Sequence, residues 1–249
     1  MLAVPALFAS AQENNSPAIT SGKITFEEKV KLEIKLEGDV SHLAGMLPKE
    51  RTAEKILTFN DEASLFEDGN NIEDEMTPSH SEGTVRVRMV VSGENKTFTD
   101  LKNKKIIEQR DFMNRIFLVE KEIPAPDWKI TGNQKVILGY NCMEAVRQDT
   151  SGKKTTAWFT PSISISSGPA GFCNLPGMVL EADINDGSRV ITAKSIESIA
   201  SADLKLQKPK DGKKVSEQEY SAIVAEKMKE MGMEQGEGGN QVRIVIKQH

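Results

Sequence analysis

The chain has 249 residues, with 37 acidic against 32 basic side chains for a formal net charge of −5, and only 5% aromatics. That length supports one large β-rich domain or two smaller ones and can bury roughly 70% of the unfolded surface without help from a metal or a disulfide. Lysine and arginine are scattered among the carboxylates instead of forming a basic stripe, which argues against a nucleic-acid partner, and no run of 18 apolar residues is present to cross a membrane as a helix.

The first eleven residues read as the remnant of a secretory signal. An apolar run from Leu2 to Phe8 precedes Ala9-Ser10-Ala11, the A-x-A form that a signal peptidase cuts, and the missing basic segment places the true start further upstream. An exported protein of the periplasm or outer-membrane surface is the expectation. No cysteine at the cleavage point supports a lipid anchor.

A single β-rich domain is expected over residues 22–249. Ile24, Phe26, Val30, Leu32, Ile34 and Leu36 keep a period of two, the mark of a strand with one wet face, with a bulge near Glu27 to Lys29. His42 to Ile56 reads as a short helix or a connector, and Leu57 to Glu67 as one or two strands. Glu67 to Gly83 is acidic and Asn-rich. Its carboxylates lack the D-x-D-x-D-G spacing of a calcium loop, so a solvated surface is the reading.

Strands follow in quick succession: Val85 to Val91, Thr97 to Leu101, Lys105 to Gln109 and Arg115 to Glu120 form a meander, and Pro124, Pro126 and Trp128 mark a loop. Val136 to Gln148 and Lys154 to Thr160 read as a hairpin, and Met178 to Ile184 with Arg189 to Ile199 as another across Asn185, Asp186 and Gly187. Such spacing favours an antiparallel sheet. Ser216 and Glu219 form a capping box for a helix from Glu217 to Met231, whose face of Tyr220, Ile223, Val224, Met228 and Met231 must pack on the sheet. Val242 to Ile246 reads as a last strand tied into it.

The most distinctive stretch runs from Gly168 to Glu181. Gly168, Pro169, Phe172, Cys173, Asn174, Leu175, Pro176, Gly177 and Met178 mix helix breakers with large apolar side chains, so neither regular helix nor regular strand fits and a buried irregular loop does. Phe112, Phe117, Trp128, Tyr140, Trp158, Phe159 and Phe172 form either a plain core or the lining of an apolar cavity beside that loop. Candidate ligand-binding residues are Trp158, Phe172, Leu175, Pro176 and Met178, with Gly168, Pro169, Asn174 and Gly177 shaping the backbone. Cys142 and Cys173, the only cysteines, are a disulfide candidate in an oxidising compartment, free buried thiols being the alternative.

Catalytic signatures are not found. His42, His80 and His249 are the only histidines, no G-x-S-x-G surrounds a serine, and there is no C-x-x-C, P-loop or dinucleotide fingerprint, so no catalytic residue, metal site or cofactor is assigned. Met228, Met231 and Met233 are soft donors for copper(I), but methionine at helical spacing is a common core filler. A carboxylate-dependent hydrolase and a copper-binding envelope protein are the alternatives to a binding or accessory role.

The run Asn174-Leu175-Pro176-Gly177-Met178-Val179, with Gly139-Tyr140 and Cys142, Ala157-Trp158-Phe159-Thr160, and Gly168-Pro169 before it, resembles the GLPGLI family of exported proteins from Gram-negative bacteria. Asn174, Met178 and Val179 depart from that motif, although asparagine also tolerates a left-handed backbone. The resemblance implies an envelope protein, in some cases associated with outer-membrane transport. A curved antiparallel sheet like that of lipoprotein carriers, with a C-terminal helix packed on it, is the fold expected. The function expected is to hold an apolar small molecule or an outer-membrane partner around the Gly168–Glu181 loop.

Overall fold

The computed structural model describes residues 19–32, 49–69, 87–90, 93–149, 152–230 and 243–246, with backbone only for 87–90, 93–95 and 243–246. The signal-peptide remnant, most of the acidic segment after Glu67, Met231 and Met233 lie outside the described residues.

In chain order the strands are β1 (Gly22–Lys31), β2 (Glu50–Phe59), β3 (Ala63–Asp68), β4 (Val87–Val90), β5 (Gly93–Asp100), β6 (Lys105–Phe112) and β7 (Arg115–Glu122). The second half adds β8 (Lys129–Ile137), β9 (Tyr140–Gln148), β10 (Lys154–Thr160), β11 (Met178–Ile184), β12 (Arg189–Ser198) and β13 (Lys213–Val215). Helix α1 (Glu217–Glu230) and strand β14 (Arg243–Ile246) complete the chain. Twelve strands form one sheet in the order β13-β7-β6-β5-β3-β2-β1-β12-β11-β10-β9-β8. All its pairs are antiparallel except β13 with β7. The expected mostly β fold with a C-terminal helix is what the chain adopts.

The sheet has to curl. Ten strand spacings separate β7 from β8, about 48 Å if laid flat at ~4.8 Å each. The residues Ile123 to Trp128 that join them reach at most roughly 24 Å. Curvature therefore brings the two arms, β13-β7-β6-β5-β3 and β11-β10-β9-β8, toward each other around the middle strands β2, β1 and β12. Two irregularities assist it: β1 shifts register against β12 between Thr25 and Phe26, and β11 carries an extra residue, Leu180, opposite the Trp158–Phe159 step of β10. Bulges of this kind sharpen local twist. The first lies one to two residues before the predicted Glu27–Lys29 position.

Hydrophobic burial follows the strand alternation. Ile24 and Phe26 of β1, Leu57 and Phe59 of β2, Met178 and Leu180 of β11 and Ile191 of β12 make one cluster. Ala145, Phe159, Val179 and Ala182 make a second with Phe172 and Leu175. Helix α1 lies on the far arm, where Tyr220 packs with Phe112, Phe117 and Val119. Its start is fixed as the sequence indicates: the Glu219 backbone N–H donates to Ser216 Oγ at 3.2 Å, and the Ser216 N–H donates to Glu219 Oε2 at 2.7 Å.

Four expectations change. Val136 to Gln148 is two strands, because Leu138 (φ 50°) and Gly139 (φ 82°) make a left-handed hairpin turn between β8 and β9. The short parallel β13 carries no alternation to announce it. Strands β4 and β14 pair with each other in a separate two-stranded sheet, so β14 is not tied into the main one and β4 is not part of the meander. The proposed disulfide is not formed: both thiols are reduced and buried. Alternation along β9 sets Cys142 opposite Met143 and Ala145, which share the second cluster with Phe172 and Leu175 on either side of Cys173, so the sheet separates the two sulfurs. Burial pushes each thiol up to about 11.

Candidate functional site

Residues between β10 and β11 form the irregular loop anticipated from Gly168 to Gly177, and it ties the two arms together. Ser167 Oγ donates to Ser64 Oγ of β3 at 2.7 Å, and Gly171 packs against Thr97 of β5 and Ile106 of β6. Beyond this turn, Phe172 and Leu175 drop onto Phe159, Val179 and Ala145 of the opposite arm. The Trp128 indole N–H donates to Cys173 O at 3.0 Å and Asn174 Nδ2 to Pro124 O at 2.7 Å, fastening the loop to the connection between β7 and β8.

The backbone residues assigned a shaping role do so for identifiable reasons. Gly177 has φ 151°, and a Cβ there would lie 2.1 Å from the Thr160 carbonyl oxygen. At Gly168 the backbone is extended and space decides: a Cβ would sit 2.6 Å from Val179 Cβ. Asn174 takes the left-handed conformation at φ 67°, and Pro169 opens a 3-10 turn, Pro169–Gly171, in which Ala170 also has positive φ.

The five candidate ligand contacts are not gathered round one opening. Phe172 and Leu175 belong to the second cluster and Met178 to the first, all buried. Pro176 is exposed. Trp158 is half-buried and packs against the first cluster, on the face of β8 to β11 that also carries charged side chains.

On that surface a polar row crosses three strands. The pairing places Glu144 of β9 and Glu181 of β11 directly either side of Trp158. Lys135 of β8 reaches over the indole, its Nζ 4.3 Å from the ring centroid, and pairs with Glu181 at 2.6 Å. The β8 ladder breaks between Ile130 and Gln134, and the residues of this break grip Glu144: Thr131 Oγ1 donates to Glu144 Oε2 at 2.6 Å and Asn133 Nδ2 at 2.8 Å. The Thr131 hydroxyl holds the Glu144 carboxyl below the usual carboxylate range, with Asn133, Lys154 and Lys135 adding to the effect. Sequence reasoning singled out Trp158 but missed Lys135, Glu144 and Glu181, whose only signal was a charge alternating with apolar residues.

Two further groups of ionisable side chains lie on the sheet. Glu28 is buried between Arg189, at 2.6 Å, and Lys55, at 3.6 Å. Burial alone would raise its carboxyl, but these two cations outweigh it and hold it below its ordinary value. Under α1, Glu108 is paired with Arg110 and Lys121, and Arg110 Nη1 and Nη2 bond Glu217 at 2.8 and 3.0 Å while the guanidinium lies 4.8 Å from the Tyr220 ring centroid. Among the described residues, no group of three or more His, Cys, Asp or Glu side chains is placed to hold a metal ion, and no helix is long and apolar enough to cross a membrane.

Comparison with known proteins replaces the GLPGLI resemblance. The family model that matches is described as "N-glycanase peptide, N-terminal domain" and covers residues 50–222. Two solved structures of PNGF-II, in P21 and C2 space groups, share the fold at a TM-score of 0.53 each, with 18% and 20% identity over 82% of this chain. The chain spans about a third of the PNGF-II length, 33% and 32% respectively. No curated protein matches the chain. The NLPGMV run at 174–179 looks like a family signature because its geometry is so constrained: a chain doubling back against Thr160 needs glycine at 177, and one seating Leu175 among Ala145, Phe159 and Val179 needs an apolar residue there. The match spans more than two thirds of the sequence, and the chain belongs to the N-glycanase peptide N-terminal domain family.

Proposed function

We propose that this is an exported accessory domain of N-glycan processing, one that contacts glycan and leaves the chemistry to other parts of the system. The observation that carries the reading is the Glu144–Trp158–Glu181 row with Lys135 laid across its centre. Directly opposed side chains on neighbouring strands stand ~5 Å apart, roughly the span of one sugar ring. A ring stacked on the indole in place of Lys135 meets a carboxylate on each side, and carboxylates make strong charge-assisted hydrogen bonds with hydroxyls. The family description supports the substrate class.

In this reading Phe172, Leu175 and Met178, with Gly168, Pro169, Asn174 and Gly177, serve the surface indirectly. They fasten the arms, and the curvature they hold sets how β8 to β11 present the row. Pro176 rigidifies the same loop.

The test is titration of an N-glycosylated peptide, and of the same peptide without glycan, into the protein while following tryptophan fluorescence and amide shifts. Glycan-dependent shifts centred on residues 135, 144, 158 and 181 are expected, with binding weakened tenfold or more in W158A and several-fold in E144Q. Equal response to both peptides, or an unchanged affinity in W158A and E144Q alike, overturns the reading. E144Q sits on the surface and keeps the test valid if W158A is poorly folded.

A further inference from the structure

Lys135 occupies the place that a stacked ring would take. The Trp158 indole is half-buried against the first cluster, and Lys135 Nζ lies 4.3 Å from the ring centroid while it pairs with Glu181 Oε1 at 2.6 Å. One ammonium thus serves both the aromatic face and the carboxylate beside it. An incoming ring has to replace both contacts at once.

The two carboxylates of the row differ in what that replacement costs. Glu144 keeps its hydrogen bonds from Thr131 and Asn133 whatever covers the indole. Glu181 is 21% exposed at its side chain, and among the described residues Lys135 is the only side chain that bonds to it. Once Lys135 leaves, a partly buried acceptor stands without a partner and carries its full desolvation penalty. A ring with a hydroxyl on the edge facing Glu181 donates to it and offsets that loss, whereas an apolar ring of the same size does not.

We propose that Lys135 is a specificity-determining residue, an internal competitor that admits hydroxyl-bearing rings to Trp158 and turns apolar ones away. This rests on the glycan reading above and names what the site selects within it. A bare indole accepts any apolar surface. An indole covered by a lysine that is bonded to its neighbour discriminates by hydrogen bonding, which rejects an analogue lacking the hydroxyl far more strongly than apolar shape does. The competitor also weakens every ligand by the fraction of time it holds the ring. Its strand suits it to the role: among the described residues β8 pairs only with β9, and its ladder is broken before Gln134, so Lys135 leaves the indole without disturbing an inner strand.

The test titrates an N-glycosylated peptide, the same peptide with a cyclohexyl group in place of the sugar, and the bare peptide into wild type, K135A and K135R, following tryptophan fluorescence and amide shifts. The wild type is expected to respond to the glycopeptide alone. K135A is expected to bind the glycopeptide several-fold more tightly and to gain binding of the cyclohexyl peptide, while K135R, which keeps a cation beside Glu181, stays as selective as the wild type. Selectivity separates this role from a structural one, because a loosened fold weakens every ligand. A wild type that binds the glycopeptide, with K135A no tighter and still blind to the cyclohexyl peptide, overturns the inference and leaves the glycan reading standing; so does a wild type that accepts both peptides equally. No glycan-dependent response in either wild type or K135A overturns both.

Discussion

The two arms of the sheet are held by different physics. On the β8-to-β11 side the fastening is apolar: Phe172 and Leu175 fill the space over Ala145, Phe159 and Val179, and the polar contacts of the loop are to backbone or between hydroxyls. On the β5-to-β7 side the helix is held by Tyr220 and by a chain of charges from Lys121 through Glu108 and Arg110 to Glu217. An apolar fastening responds to lost volume and not to pH. A charged one, with Glu108 only 1% exposed, tolerates little loss of a partner and answers to acid.

The largest effect expected from breaking this contrast is on the charged arm. E108A leaves Arg110 and Lys121 without their shared carboxylate and should cost about 3–5 kcal/mol, read as a lowered urea midpoint. L175A on the apolar arm should cost about 3 kcal/mol for its lost burial and the cavity left behind, with no change when salt is raised. G177A should lose about 2–3 kcal/mol, since alanine there combines unfavourable φ with a clash against Thr160. S216A removes the helix cap for about 1 kcal/mol, a melting shift of roughly 2–4 °C.

Acid should separate the arms without any mutation. Burial raises the Glu217 carboxyl, but hydrogen bonds from Arg110 and its charge outweigh this and hold it below its ordinary value. A carboxyl lowered in the folded state stabilises it at pH above its unfolded value, about 4.3, and that stabilisation is lost as the pH falls through the folded value. Hydrogen exchange in acid should therefore release α1 before residues 168–178, and E217Q should abolish the difference. Equal loss of protection in both regions would show that the arms are not independently fastened.

How much of this was legible in the sequence depended on whether a residue's surroundings were local. The β11–β12 hairpin was readable because Asn185 and Asp186 both take positive φ in its turn before Gly187, and the α1 start because capping is a contact between neighbours in sequence. The loop was recognised as irregular and buried for the same reason, its prolines and glycines being local facts. Strand β8 was missed since an edge strand with a broken ladder and two wet faces shows no alternation. In sequence Glu108 and Arg110 are only two charges two residues apart, and the partner that Arg110 meets, Glu217 of α1, lies some hundred residues further on. The surface row shared this fate: that Glu144, Trp158 and Glu181 stand abreast is a property of register, which no single strand contains.

The central strand β1 is paired on one side with β2 and on the other with β12, Gly22 standing opposite Ser198. During synthesis the first of these pairings is available a few dozen residues after Gly22, while the second, Gly22 with Ser198, joins positions 176 apart (198 − 22). Until then Ile24 and Phe26 sit on a strand with an unsatisfied edge, and closure of the sheet is a late, long-range and therefore slow event. The order in which the chain emerges thus leaves a central strand of the first cluster half-paired through most of synthesis, and the yield of folded protein should depend more on what shields β1 in that interval than on the stability finally reached.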